Sequence, residues 1–147
     1  VYTLYSSPSL TGAIGQPTGT AKMCLGCHDG TIALGAMDSK AALPVTATVI
    51  QDIDTDYQVP GALMTPSLQG THPISITYDV SDTGLKATTN TIGTSGTIAS
   101  LLDGGKVQCS TCHDVHDSAG EAVAGTHLLR QSNTATASGL CLACHNK

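Results

Sequence analysis

Cys24-Leu25-Gly26-Cys27-His28 is the stretch that decides the fold, because the same C-x-x-C-H pattern returns at Cys109–His113 and again at Cys141–His145. The three copies use all six cysteines of the 147-residue chain. Two thiols three positions apart leave one helical turn on nearly the same face, and a histidine follows at once.

C-x-x-C-H is the attachment motif of haem c. Its two thiols can bond to the two vinyl groups along one haem edge, while the next histidine binds the iron. Zinc sites and disulfides are the alternatives, but zinc takes four ligands and three such units do not divide into fours. We therefore predict three covalent haems c, with attachment at Cys24, Cys27, Cys109, Cys112, Cys141 and Cys144 and proximal iron ligands His28, His113 and His145.

Three further histidines remain, one for each iron, and we expect them to be the distal ligands: His72, His116 and His127. Methionine competes for this role, but Met23 adjoins the first motif, and Met37 and Met64 suit packing better. The spacing does not say which distal histidine serves which haem.

His116 follows the second motif by three residues. If His113 and His116 shared a helical turn, their side chains would leave on nearly the same face. We therefore expect His116 to bind a different haem from His113.

The composition predicts a core built around the haems. The chain has no Trp and no Phe, and aromatic residues make up 3% of it, although large side chains normally supply much of the buried area. The expected fold is mostly irregular, with short helices at the haem motifs and a small antiparallel β module between the first and second haems. We expect a single domain over residues 1–147, with an irregular N-terminal segment at 1–20 and a β-rich insertion at 41–103.

Within that insertion the alternation of residue types predicts strands. Val45–Ile50 is one candidate, and Ile74–Val80, a turn at Ser81–Gly84 and a returning strand Leu85–Ile92 would form a hairpin. Two other segments are a turn at Asp103–Lys106 and a C-terminal helix over about 137–146. Asp52–Asp56 resembles the start of a calcium loop, but its glycine and glutamate are missing, so a solvated acidic turn is expected.

Charge and hydropathy exclude several classes of protein. The net charge is −5 with six Lys or Arg, too few for a nucleic-acid surface. No apolar run is long enough to span a membrane, and no G-x-S-x-G or phosphate loop is present. Because the chain starts at Val1 and no signal-peptide pattern precedes it, we expect a processed, mature form; a trimmed chain is the alternative.

Five stretches resemble the doubled C-x-x-C-H family of multihaem cytochromes: Cys24–Thr31, Thr71–Ile74, Cys109–His116, Leu128–Arg130 and Leu140–His145. The resemblance implies that His72 and His116 are distal ligands and that the protein transfers electrons outside the cytoplasm. Some members resemble subunits of extracellular cytochrome filaments, in which haems stack into a wire.

The expected function is electron transfer without bond chemistry, because histidine on both faces of each iron leaves no site for a substrate; the protein is then not an enzyme. Expected partners are other redox proteins or extracellular acceptors, and further copies of the chain in a homopolymer. The expected location is extracellular or at the cell surface. The alternatives are a soluble periplasmic shuttle, or a haem enzyme with one open iron if a spare histidine such as His127 is not a ligand. Three features favour the filament: an N-terminal segment that is held either by its own domain or by a neighbouring subunit, sparse charge, and an easily buried Ser/Thr/Gly surface.

Overall fold

The computed structural model describes residues 1–29, 67–116, 128–131 and 138–146. Three sequence predictions lie outside these ranges, namely the strand Val45–Ile50, the acidic turn Asp52–Asp56 and the ligand candidate His127. The described chain is mostly irregular, with short helices and two small antiparallel sheets.

The helices of the described residues are α1 (Gly19–His28), α2 (Ile98–Leu101), α3 (Cys109–Cys112) and α4 (Gly139–Cys144). Isolated helices of this length are unstable in water, so tertiary contacts must hold them. None of them combines the length and apolar character that a membrane crossing requires.

Each sheet pairs two strands of two residues. β1 (Ile76–Thr77) pairs with β4 (Lys106–Val107), and β2 (Thr91–Ile92) pairs with β3 (Gly96–Thr97). The predicted hairpin of Ile74–Val80 with Leu85–Ile92 is therefore wrong.

The alternation that suggested the hairpin is nevertheless present, since Ile76 is buried, Thr77 is exposed and Tyr78 is buried. Alternation specifies which face of a strand is buried and not which strand lies beside it. Here the partner is supplied by the turn at Asp103–Lys106, which directs Val107 back to Ile76.

Both predicted turns are confirmed. Asp103 and Lys106 exchange two backbone hydrogen bonds of 3.1 Å. Gly104 and Gly105 between them have φ of 61° and 77°, which glycine adopts without a steric penalty. At Ser81–Gly84 the Asp82 carboxylate accepts a hydrogen bond from the Gly84 N–H at 2.7 Å, an aspartate-stabilised turn.

The apolar core of the described residues is small. Tyr78, Ile92, Ile98 and Ala143 form one buried cluster, and Ala143 belongs to the third C-x-x-C-H motif. Ser75, Gln108 and Thr111 are buried polar residues that are bonded to one another. The Ser75 hydroxyl donates to Gln108 Oε1 at 2.9 Å, and the backbone N–H of Gln108 donates to Thr111 Oγ1 at 3.0 Å.

The N-terminal segment lies on the rest of its own chain. Thr3 pairs with Ser67, the Thr77 N–H donates to the Ala13 carbonyl at 3.1 Å, and the Thr11 hydroxyl donates to Asp82 at 2.6 Å. These bonds attach the segment to its own chain without a neighbouring subunit, so the segment does not by itself favour a filament.

Candidate functional site

The first C-x-x-C-H motif lies at the end of α1 and contains its last residue, His28. The start of α1 is tied to distant segments, since the Thr18 N–H donates to Ser75 Oγ at 2.9 Å and the Thr20 N–H to Asp103 Oδ2 at 3.1 Å. Leu25, between the two cysteines, is 1% exposed and anchors the helix. Cys27 lies on this helix, but its side chain is outside the described part.

The second and third motifs share one local geometry. In each, both cysteines lie on a short helix that ends at the second cysteine, and the histidine that follows is extended. The His113 N–H donates to the Cys109 carbonyl at 3.0 Å, and the His145 N–H donates to the Cys141 carbonyl at 2.9 Å. Two thiols and one imidazole are thus presented together twice, as attachment to one haem requires.

Contacts of the second motif bring it against the other two. The hydroxyls of Thr20 and Ser110 lie 2.8 Å apart, joining α1 to α3. Burial, with charge repulsion and a hydrogen bond from the neighbouring Cys24 thiol as smaller causes, raises the pKa of the Cys109 thiol to about 12.

On its other side the second motif approaches the third. Burial raises the pKa of the Cys112 thiol to about 11, with smaller contributions from the charges of Cys144 and Cys141. The second motif therefore adjoins both others, with Cys109 near Cys24 and Cys112 near Cys141 and Cys144.

The third motif is clamped to residues 83–86. The Tyr78 hydroxyl donates to the carbonyls of Lys86 and Cys144 at 2.8 and 3.2 Å. The Asn146 amide donates to the carbonyls of Thr83 and Leu85 at 3.0 and 2.9 Å. These bonds fix the backbone on both sides of His145.

His72, a predicted distal ligand, is exposed and lies beside the third motif. Its ring centre is 6.2 Å from that of His145, and the two ring planes make an angle of 61°. Its Nδ1 is 2.9 Å from the Pro73 carbonyl oxygen.

His116 is also exposed, but the helical turn expected for residues 113–116 is absent, because α3 ends at Cys112 and His113 is extended. The reason is a set of longer-range bonds: the Asp114 N–H donates to the Leu128 carbonyl, and His113 pairs with Leu129. Since His113 and His116 do not share a helical turn, their spacing no longer indicates that His116 binds a different haem from His113.

Arg130 binds within the chain. Its Nη1 is 3.5 Å from Asp114 Oδ2, and its Nε donates to the Ser110 carbonyl at 3.0 Å. Residues 128–131 are thereby attached to the second motif.

Several residues that position the motifs were not anticipated from the sequence, among them Ser75, Tyr78, Gln108 and Asp114. Tyr78 had the strongest available indication, because aromatic residues are rare in this chain, yet its alternating neighbours suggested only a strand. The roles of the others depend on partners 30 or more residues away or on an adjacent loop.

The donor set fits covalent haem. The second and third motifs each supply two thiols and one histidine, the groups that attach one haem c and bind its iron. No group of three or more His, Cys, Asp or Glu in the described ranges is arranged to hold a bare metal ion; a haem does not require one, because the porphyrin supplies four of the iron ligands itself.

Comparisons with protein-family models, curated proteins and solved structures find no significant match.

Proposed function

We propose that this protein is an electron-transfer cytochrome with three covalently attached haems c. The proximal ligands are His28, His113 and His145, and the distal ligands are His72, His116 and His127. The observation that carries the proposal is the repeated motif geometry, with paired cysteines on one helix and a histidine directly after them. The small apolar core of the described residues supports it, because bound porphyrins would supply the buried area that large side chains normally give.

When bound, a haem supplies a one-electron couple. The chain's own contribution is to hold the attachment sites close together. Helices α1 and α3 are joined through Thr20 and Ser110, and Cys112 neighbours Cys141 and Cys144. Histidine on both faces leaves no position for a substrate, so the protein transfers electrons and is not an enzyme.

The proposed location is outside the cytoplasm, at the cell surface or in the extracellular space, with other redox proteins or extracellular acceptors as partners. Self-association into a conductive homopolymer is the finer proposal, supported by sparse charge, with 6 basic and 11 acidic residues in 147. Negative-stain microscopy of the haem-loaded protein over a concentration series should show fibres. A uniform monomer at all concentrations would reject the polymer and leave a soluble shuttle.

The central proposal is tested by counting haems and their spin states. Pyridine haemochrome absorption should give three haems c per chain, and electron paramagnetic resonance of the oxidised protein should give three low-spin ferric signals. Absence of covalent haem in a host that attaches haem c would reject the proposal. One high-spin haem would indicate an open iron and favour the enzyme alternative.

A further inference from the structure

We propose that His72 and His145 bind opposite faces of the same iron, so that His72 is the distal ligand of the haem attached at Cys141 and Cys144. The inference rests on the proposed function. It also goes beyond that function, because motif spacing leaves the pairing of distal histidines with haems open.

The His72 and His145 rings are as far apart as two imidazoles that bind one metal from opposite sides. A histidine nitrogen lies about 2.0 Å from a first-row metal, and the ring centre about 1.1 Å further back, so two imidazoles across one metal have centres about 6.2 Å apart. The observed separation of the His72 and His145 ring centres is 6.2 Å. The 61° angle between the planes is compatible, because each ring can rotate about its metal–nitrogen bond.

Of the two ring nitrogens of His72, only Nε2 remains for a metal. His72 Nδ1 is 2.9 Å from the Pro73 carbonyl oxygen, a distance at which the Nδ1–H donates to it. Metal-binding histidines commonly donate their second ring N–H to a carbonyl or carboxylate, which fixes the tautomer. For His72 this leaves the Nε2 lone pair for the iron.

Backbone hydrogen bonds hold both the segment that carries His145 and the segment that carries His72. His145 pairs with Leu85, and the next residue, Asn146, donates its N–H to the Gly84 carbonyl at 2.8 Å. The segment that carries His72 is held at Ser75, whose N–H donates to the Val107 carbonyl at 2.7 Å. The separation of the rings is thus set by two anchored segments.

A direct edge-to-face contact between the two imidazoles is the rival explanation, because such contacts span about 4.5–7 Å between ring centres. Burial normally accompanies contacts that form for packing alone, whereas the His72 side chain is exposed. A packing contact between the rings also does not require the hydrogen bond from His72 Nδ1 to the Pro73 carbonyl. Iron between the rings accounts for the distance, the tautomer and the exposure together.

The test begins with His72→Ala in the haem-loaded protein. Electron paramagnetic resonance should show that one of three low-spin ferric haems has become high-spin, and added imidazole should restore the low-spin signal by occupying the vacated position. Three unchanged low-spin haems in the variant would overturn the inference while leaving the proposed function intact. Wild type without covalent haem would instead overturn the function.

The affected haem is located by removing the third one with Cys141→Ala and Cys144→Ala. In that two-haem protein, adding His72→Ala should change no spin state, and a newly high-spin haem would overturn the assignment.

A second pair of variants keeps the test independent of that deletion. Leu142→Lys places a positive charge beside the third haem, and Gly26→Lys, at an exposed position with no atom within 4 Å of its new Cβ, does so beside the first. In redox titrations of His72→Met, the haem with the raised midpoint should be the one that Leu142→Lys shifts. Coincidence with the haem that Gly26→Lys shifts would overturn the assignment.

Discussion

Arg130 illustrates how a single residue acquires its role from distant partners. Its guanidinium bridges Asp114 and the Ser110 carbonyl, with 14% of the Arg130 side chain and 10% of the Asp114 side chain exposed. A charge this far removed from water is costly unless it is paired.

Asp114→Ala should therefore lower the free energy of unfolding by about 1–3 kcal/mol, because it leaves the Arg130 charge partly buried without its partner. Chemical denaturation at neutral pH measures the change. Adding Arg130→Met should recover part of the loss, since removing both side chains leaves no unpaired charge, although the Ser110 carbonyl loses its donor. A double variant as unstable as the sum of the singles would contradict this account. Asp79→Ala, at a carboxylate outside any described ion pair, is the matched control.

The helices that carry the second and third motifs are too short to be stable by themselves. α4 is held by the small apolar core, to which Ala143 belongs, and by the Tyr78 hydroxyl, which donates to the carbonyls of Lys86 and Cys144. Burial, ahead of the charge of Cys144, raises the pKa of Tyr78 from 10.0 to about 12. The neutral phenol is therefore favoured in the folded state.

This shift predicts an alkaline loss of stability. Because the folded pKa lies above the unfolded one, the contribution is complete below pH 10 and disappears as the pH rises through about 12. Its size is on the order of 1–3 kcal/mol. Tyr78→Phe should be less stable than wild type at pH 8, where its two hydrogen bonds are missing, and should lose less between pH 10 and 12. Denaturation midpoints at several pH values measure both effects, and an equally steep alkaline loss in the variant would contradict the assignment to Tyr78.

For the whole molecule, the contacts of the described residues place the second motif beside both others. This arrangement is built by long-range bonds, such as Thr20 with Ser110, and by neighbouring cysteine side chains of different motifs. If the protein carries the three proposed haems, electron exchange through it should depend most on the haem at the second motif.

Under the proposed function, Cys109→Ala with Cys112→Ala should yield a two-haem protein whose remaining haems interact weakly, because the haem between them would be missing. Cys141→Ala with Cys144→Ala is the matched control and should retain a strongly interacting first pair. Magnetic coupling between ferric haems, measured by electron paramagnetic resonance relaxation, distinguishes the two proteins. Equal magnetic coupling between the two remaining haems in both variants would contradict the placement of the second motif beside both others.

By itself the sequence determined the features that depend on short separations along the chain. These are the three motifs, the pairing of thiols on one helical turn, the turns at Ser81–Gly84 and Asp103–Lys106, and the alternation of buried and exposed residues around Ile76. Each follows from local backbone geometry, which residue type and spacing specify directly.

Only the tertiary structure decided which segments meet. Ile76 pairs with Val107 instead of with a hairpin partner, and the N-terminal segment bonds to residues 67–82. Arg130 forms an ion pair with Asp114, and His72 lies beside His145. The physical reason is that many pairings of short segments satisfy the same local pattern. The choice among them depends on packing and hydrogen bonds between residues far apart in the chain.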